Sequence, residues 1–230
     1  MPRLTIDQLD AQIKGGLIAS CQPVTAGPLD TSEIVAALSQ ACLAGGARAL
    51  RIEGAKRVQK VRQNTQAPII GIVKRDLPTS PVRITPLLAD VRDLAAAGAD
   101  IIAFDCTDRP RPTPRPAIIQ AIHTAGCIAM ADCATLPDIE FAHANGAELI
   151  ATTLSGYTGE KTPAEPDYDL LKAATKIAPR IIAEGRFNTP TRAQKAMQHG
   201  AWAVTVGTAL TRIELITKSF ADTLHHKNPN

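Results

Sequence analysis

Two charged side chains stand where charge is costly. Lys74 follows the run Ile69-Ile70-Gly71-Ile72-Val73 without a break, and Glu184 follows Ile181-Ile182-Ala183. A charge placed directly after an apolar run is tolerated when it faces a wet pocket. Desolvation favours the neutral, proton-accepting form of a lysine in that position. A carboxyl group placed comparably can give or take a proton. Other apolar runs end in the same way: at Ser20-Cys21-Gln22, at Arg51, at Asp105, at Asp132, at Thr152-Thr153 and at Gly207-Thr208. A charge after a strand can equally be the first solvated residue of a loop, and Asp105 and Arg75 fit either description. Lys74 and Glu184 end the most apolar approaches.

These residues need elements that bring them together. Eight short runs rich in Ile and Val read as strands, over 17–21, 48–52, 69–73, 100–104, 127–131, 149–152, 180–184 and 202–206. Helical stretches lie between them. Asp30-Thr31-Ser32-Glu33 opens one that runs to Gly45-Gly46; Leu88 to Ala97 closes at Gly98; Thr189-Pro190 opens another that ends at Gly200. A weak repeat runs through the chain: Gly46-Ala47, Gly98-Ala99, Gly146-Ala147 and Gly200-Ala201 each put a helix-ending glycine before a strand. Their spacing of about 50 residues is one βαβα quarter of a barrel. The expected fold is therefore α/β, a (β/α)₈ TIM barrel occupying residues 1–230 as a single domain. A doubly wound open sheet is the alternative, but no G-x-G-x-x-G follows the first strand. In a barrel the strand ends share one mouth, which gathers the polar residues above.

Composition narrows the partners. Hydrophobic residues make up 45% and charged residues 20% of the 230, a globular balance, and the net charge of +3 is too weak and mixed to argue for nucleic acid. Aromatic residues at 3% leave little for base stacking. The cysteines at 21, 42, 106, 127 and 133 form no C-x-x-C pair, and the histidines form no H-E-x-x-H, so no metal or disulfide framework is expected. Cys21, Cys106, Cys127 and Cys133 read as small buried hydrophobes, and Trp202 as packing. His123, His143 and His199 read as surface or cap residues near helix ends. Arg109-Pro110-Arg111-Pro112-Thr113-Pro114-Arg115-Pro116 reads as a stiff extended loop entering a helix. The first residues lack the apolar run of a signal peptide, and no uncharged stretch reaches the roughly 18–20 residues of a membrane span. A cytoplasmic enzyme without membrane contact is expected.

The last two strand ends point to phosphate. Gly185-Arg186 follows the seventh, and Gly207-Thr208-Ala209-Leu210-Thr211-Arg212 follows the eighth. Barrels often bind phosphate with these loops and a helix N-terminus, where glycine lets backbone N–H groups approach the oxygens and an arginine supplies a fork.

Four segments carry a family resemblance: Gly15-Gly16-Leu17-Ile18-Ala19-Ser20-Cys21-Gln22, Ile69 to Asp76, Thr152-Thr153-Leu154-Ser155-Gly156-Tyr157-Thr158, and Ile182 to Pro190. The chain, from about residue 13 to 220, resembles the N-acetylmannosamine-6-phosphate 2-epimerase family. The resemblance implies a cofactor-free barrel, usually a homodimer, that interconverts N-acetylmannosamine 6-phosphate and N-acetylglucosamine 6-phosphate in sialic acid breakdown. It places the catalytic lysine on Lys74 and its partner carboxylate on Glu184. Sugar contacts fall on Gln22, Arg51 and Asp132, and phosphate contacts on Gly185, Gly207, Thr208 and Arg212.

Such chemistry needs an open ring, because only then is the C2 hydrogen α to a carbonyl. Removing it gives an enolate whose oxygen Arg51 or Gln22 can stabilise, and returning a proton to the other face inverts C2. Lys74 and Glu184 can serve opposite faces, or Lys74 can serve both. Two rival readings use the same residues: a Schiff-base aldolase built on Lys74, and a sugar-phosphate-binding barrel without chemistry.

Overall fold

The computed structural model describes residues 4–225, so the ends of the expected 1–230 domain lie outside the described residues. Helix α1 (Ile6–Ile13) comes first. Eight strands then alternate with helices: β1 (Leu17–Cys21), α2 (Ser32–Ala44), β2 (Ala49–Glu53), α3 (Ala55–Arg62), β3 (Ile69–Ile72), α4 (Leu88–Ala96), β4 (Ile101–Asp105), α5 (Arg115–Ala125), β5 (Ile128–Asp132), α6 (Leu136–Ala144), β6 (Leu149–Ala151), α7 (Tyr168–Ala174), β7 (Ile181–Glu184), α8 (Pro190–Gln198) and β8 (Ala203–Val206). A short α9 (Thr208–Thr211) and α10 (Ile213–His225) finish the chain. The strands pair in parallel in sequence order, and β1 pairs with β8 to close a (β/α)₈ barrel.

The four-fold sequence repeat has a backbone cause. Gly46, Gly98, Gly146 and Gly200 follow α2, α4, α6 and α8 with φ of 100°, 94°, 84° and 92°. Each glycine N–H donates to a carbonyl three residues back, and the following alanine N–H donates five residues back: Ala47 to Cys42, Ala99 to Leu94, Ala147 to Ala142 and Ala201 to Ala196. This is the Schellman closure, which satisfies the last helical carbonyls and turns the chain toward the next strand. The alanines are buried, so each turn also docks its helix against the barrel. The helix starts follow the expected chemistry too: the Thr31 and Thr189 hydroxyls accept from the N–H groups of Ile34 and Arg192.

Alternation along the strands divides two cores. Ile18, Ala49, Ile70, Ile101, Met130, Leu149, Ile182 and Ala203 fill the barrel, and Leu9, Ile13 and Trp202 close its N-terminal end. Residues of opposite parity, including Leu50, Ile69, Ile102, Phe104 and Ile150, pack outward against the helices. Trp202 packs as expected and also donates to Asp10 at 3.0 Å. The four cysteines read as buried are buried, and Cys42 is half-buried with its sulfur 4.0 Å from that of Cys21. His123 and His143 lie in the last turns of α5 and α6, and His199 caps α8. The 109–114 segment is an irregular loop leading into α5. Most strand bounds shift by one residue from the sequence reading. The shift matters at β4 and β5, where Asp105 and Asp132 are the last strand residues and keep the inward parity of Ala103 and Met130.

Candidate active site

The inward parity that fills the barrel with Ile, Ala and Leu continues upward into polar residues. Above Ile18 comes Ser20, above Ala49 Arg51, above Ile72 Lys74, above Ala103 Asp105, above Met130 Asp132, above Ala151 Thr153, above Ile182 Glu184 and above Ala203 Thr205. A cavity of about 460 Å³ opens over this layer, a size suited to a small metabolite. Gln22, Arg51, Lys74, Glu184, Gly185, Arg186, Gly207, Thr208 and Arg212 all line it. Of the sequence-derived site residues, only Asp132 is absent from the lining.

Asp132 sits beneath, fully buried, and acts on Arg51. It accepts from Arg51 Nη1 at 3.1 Å and Nη2 at 2.6 Å, and from the Thr153 hydroxyl at 2.7 Å. This fork fixes the guanidinium plane. Arg51 Nε lies 3.5 Å from Glu184 Oε1. Burial opposes the Arg51 charge, but Asp132 and Glu184 outweigh it and hold the guanidinium above its ordinary range.

Lys74 and Glu184 are shifted toward each other. Burial, then the charges of Arg212 and Arg51, bring the Lys74 ammonium down to about 8. Burial raises Glu184; Arg51 opposes this, while the Asp132 charge adds to it. Opposed shifts of this kind suit a base and an acid working near neutral pH. Lys74 follows β3 and Glu184 ends β7, four strands apart in an eight-stranded barrel. The two groups therefore stand on opposite walls. The Thr152 hydroxyl brackets the Glu184 backbone, accepting from its N–H at 3.1 Å and donating to its carbonyl at 2.9 Å. Arg51 Nε, Glu184 Oε2, Gln22 Oε1 and Thr205 Oγ are buried and make no hydrogen bond among the described residues. Unsatisfied polar atoms beside a cavity are those a polar ligand would satisfy.

The wall at β7 and β8 differs. Gly185 has φ of 107°, a conformation a side chain disfavours, and keeps backbone exposed between the two strand ends. Arg212 Nε donates to the Gln22 carbonyl at 3.1 Å, which fixes the arginine at the cavity rim. Arg186 lines the cavity, but its guanidinium donates to the carbonyls of Glu165 and Ser155, at 2.8 and 2.6 Å, and so holds the loop before α7. Arg75 reaches away and pairs with buried Asp90 at 2.6 Å.

Ser20, Thr153, Thr205, Arg83 and Arg109 also line the cavity. Ser20 and Thr153 stand among the polar ends of the apolar runs in the sequence, and the two-residue alternation of β8 adds Thr205. Arg83 and Arg109 come from loops, where no periodicity marks them. No cluster of metal-ligating side chains occurs among the described residues.

Comparison with known proteins fits this site. Residues 35–226 match the family described as "Putative N-acetylmannosamine-6-phosphate epimerase". The chain belongs to the N-acetylmannosamine-6-phosphate 2-epimerase family. A relative of that name from Pasteurella multocida is 57% identical, covering 96% of this chain and 97% of its own. Another from Proteus mirabilis is 55% identical, covering 94% and 93%. The structure of the N-acetylmannosamine-6-phosphate 2-epimerase from Clostridium perfringens superposes with a TM-score of 0.91 at 36% identity, over 97% of this chain and 99% of that one. The tryptophan synthase α-subunit of Pyrococcus furiosus, at 15% identity and a TM-score of 0.64 over 90% of this chain and 91% of its own, shares the fold alone.

Proposed function

We propose that this epimerase-family chain interconverts N-acetylmannosamine 6-phosphate and N-acetylglucosamine 6-phosphate by moving the proton on C2. The observation that carries the reading is the placement of Lys74 and Glu184 on opposite walls of one cavity, with their proton affinities shifted toward neutrality. The phosphate is held at the β7–β8 end, by backbone N–H groups around Gly185, Gly207 and Thr208 and by Arg212. That anchor sets the sugar carbons across the barrel axis. With the ring open, neutral Lys74 takes the C2 proton, and the electron pair moves through C1 to the carbonyl oxygen. Arg51, clamped by Asp132, and Gln22 face that oxygen and stabilise the enolate. Glu184 delivers a proton to the opposite face of C2, and the carbonyl re-forms.

The same reading extends to assembly and place. Ile213, Phe220 and Leu224, spaced seven and four residues apart on α10, are 52%, 69% and 83% exposed, and an apolar stripe of this kind suits a second copy of the chain. A homodimer is the expected state, checked by sedimentation. A cytoplasmic location belongs to the same reading, and no described helix is long and apolar enough to cross a membrane.

Proton NMR of purified protein with N-acetylmannosamine 6-phosphate tests the activity. Appearance of the N-acetylglucosamine anomeric signals, without added metal or nucleotide, is the expected result. An unchanged spectrum contradicts the reading.

A further inference from the structure

The cavity has a third region that neither the phosphate anchor nor the reaction centre uses. It lies at β4, four strands round the barrel from β8. Asp105, 1% exposed, accepts there from the Thr107 hydroxyl at 2.6 Å, the Thr107 N–H at 3.0 Å and Arg109 Nη2 at 2.6 Å. Arg109 Nε donates to the Thr107 hydroxyl at 2.8 Å. Two anchors thus fix the guanidinium plane, while Nη1 makes no hydrogen bond among the described residues. Arg109 lines the cavity and is 25% exposed. Ile84 lies beside it, its carbonyl accepting from the Asp105 N–H at 3.0 Å. Ile84 and Pro81 line the same region. The Ser80 hydroxyl donates to the Pro110 carbonyl at 2.7 Å and ties the two loops together. One immobilised donor beside two apolar side chains suits a group with a carbonyl at one end and a methyl at the other.

The substrate has such a group. With the phosphate at β8 and C2 between Lys74 and Glu184, two branches extend beyond the reacting carbon. Arg51 faces the C1 oxygen, which leaves the acyl-amino branch. We propose that Arg109 is a specificity-determining residue that donates from Nη1 to the carbonyl of the C2 acetamido group, while Ile84 and Pro81 receive its methyl. The inference rests on the substrate reading above. It also accounts for exclusion. A free amino sugar would present an ammonium to Arg109 and Arg83, and like charge disfavours it.

Deleting the ligand group and the side chain in one cycle tests this. Dissociation constants of N-acetylglucosamine 6-phosphate and glucose 6-phosphate, which lacks the acetamido group, are measured by calorimetry for wild type, R109Q and the pair D105N/R109Q. The paired variant is included because removing Arg109 alone leaves Asp105 buried without its counter-charge. Wild type should prefer the N-acetylated ligand by about tenfold to a hundredfold, as expected of a hydrogen bond from a charged donor. Both variants should lose that preference, with glucose 6-phosphate affinity held within about twofold. Persistence of the preference in the variants, equal weakening of both ligands, or no preference in wild type overturns the proposal. If wild type neither binds nor interconverts the N-acetylated phosphosugars, the functional reading itself fails, which is a separate outcome.

Discussion

Arg212 is the residue at which binding and chemistry meet. It lines the cavity at the end proposed to hold the phosphate, and its charge is one of the causes that lower the Lys74 ammonium. Arg212→Gln should raise KM for the phosphosugar by more than it lowers kcat, because the phosphate charge does not change during the reaction. It should also move the acid limb of kcat/KM upward from its expected midpoint near 8. The sign follows from the base: without the neighbouring cation Lys74 holds its proton more tightly, so less neutral lysine is present at pH 7. A pH profile of the variant checks both, and an acid limb that stays in place contradicts the coupling. Glu184 carries a separate prediction. If it serves the face opposite Lys74, Glu184→Gln should stop inversion while Lys74 still exchanges the C2 hydrogen of one epimer with solvent. Proton NMR in D₂O, started separately from each epimer, reads this directly. Equal slowing of exchange and inversion from both epimers would leave Lys74 as the sole base.

At the scale of elements, much of the architecture was legible because its signals are local. The Schellman glycines before β2, β4, β6 and β8 announce themselves as Gly-Ala pairs, and threonine caps mark the starts of α2 and α8. Gly46 isolates the backbone contribution, since nothing lies within 4 Å of an added Cβ and φ is 100°. Gly46→Ala should therefore cost about 1–2 kcal/mol through strain alone, lowering Tm by about 2–8 °C with kcat unchanged. A thermal melt and one assay check it; an unaltered Tm would mean that the turn relaxes at no cost. Parity was the other local signal. It places Lys74, Glu184, Arg51 and Asp132 on inward positions of their strands. What parity does not give is depth. Asp132 and Arg51 both face inward, yet only the fork between them decides that Arg51 lines the cavity and Asp132 supports it from below. Arg186 shows the same limit of depth: it lines the cavity, while its Nε and Nη1 donate to the carbonyls of Glu165 and Ser155, distant in sequence.

At the scale of the whole molecule, the barrel stabilises itself from below and holds a strained arrangement of charge above. Lys74 illustrates the cost. Its folded-state value of about 8 lies below its ordinary 10.5, so the fold disfavours the charged form. This lysine lowers stability below pH 8, and the penalty fades between 8 and 10.5, where the unfolded chain still binds the proton that the folded chain has lost. Lys74→Met should then raise stability at pH 7 by about 1–3 kcal/mol, with the gain shrinking as pH rises through that window. Denaturant unfolding at pH 7 and pH 10 checks the direction, and a variant less stable than wild type at pH 7 would contradict it.

The central claim is that neutral Lys74 removes the proton on C2. Its most direct measurement is the deuterium content of C2 after incubation of N-acetylmannosamine 6-phosphate in D₂O with wild type and with Lys74→Met. Wild type should place deuterium at C2 of the N-acetylglucosamine product, and the variant should slow incorporation by about 10²–10⁴-fold or more. Epimerised product with hydrogen retained at C2, or near-normal incorporation by the variant, would contradict the account.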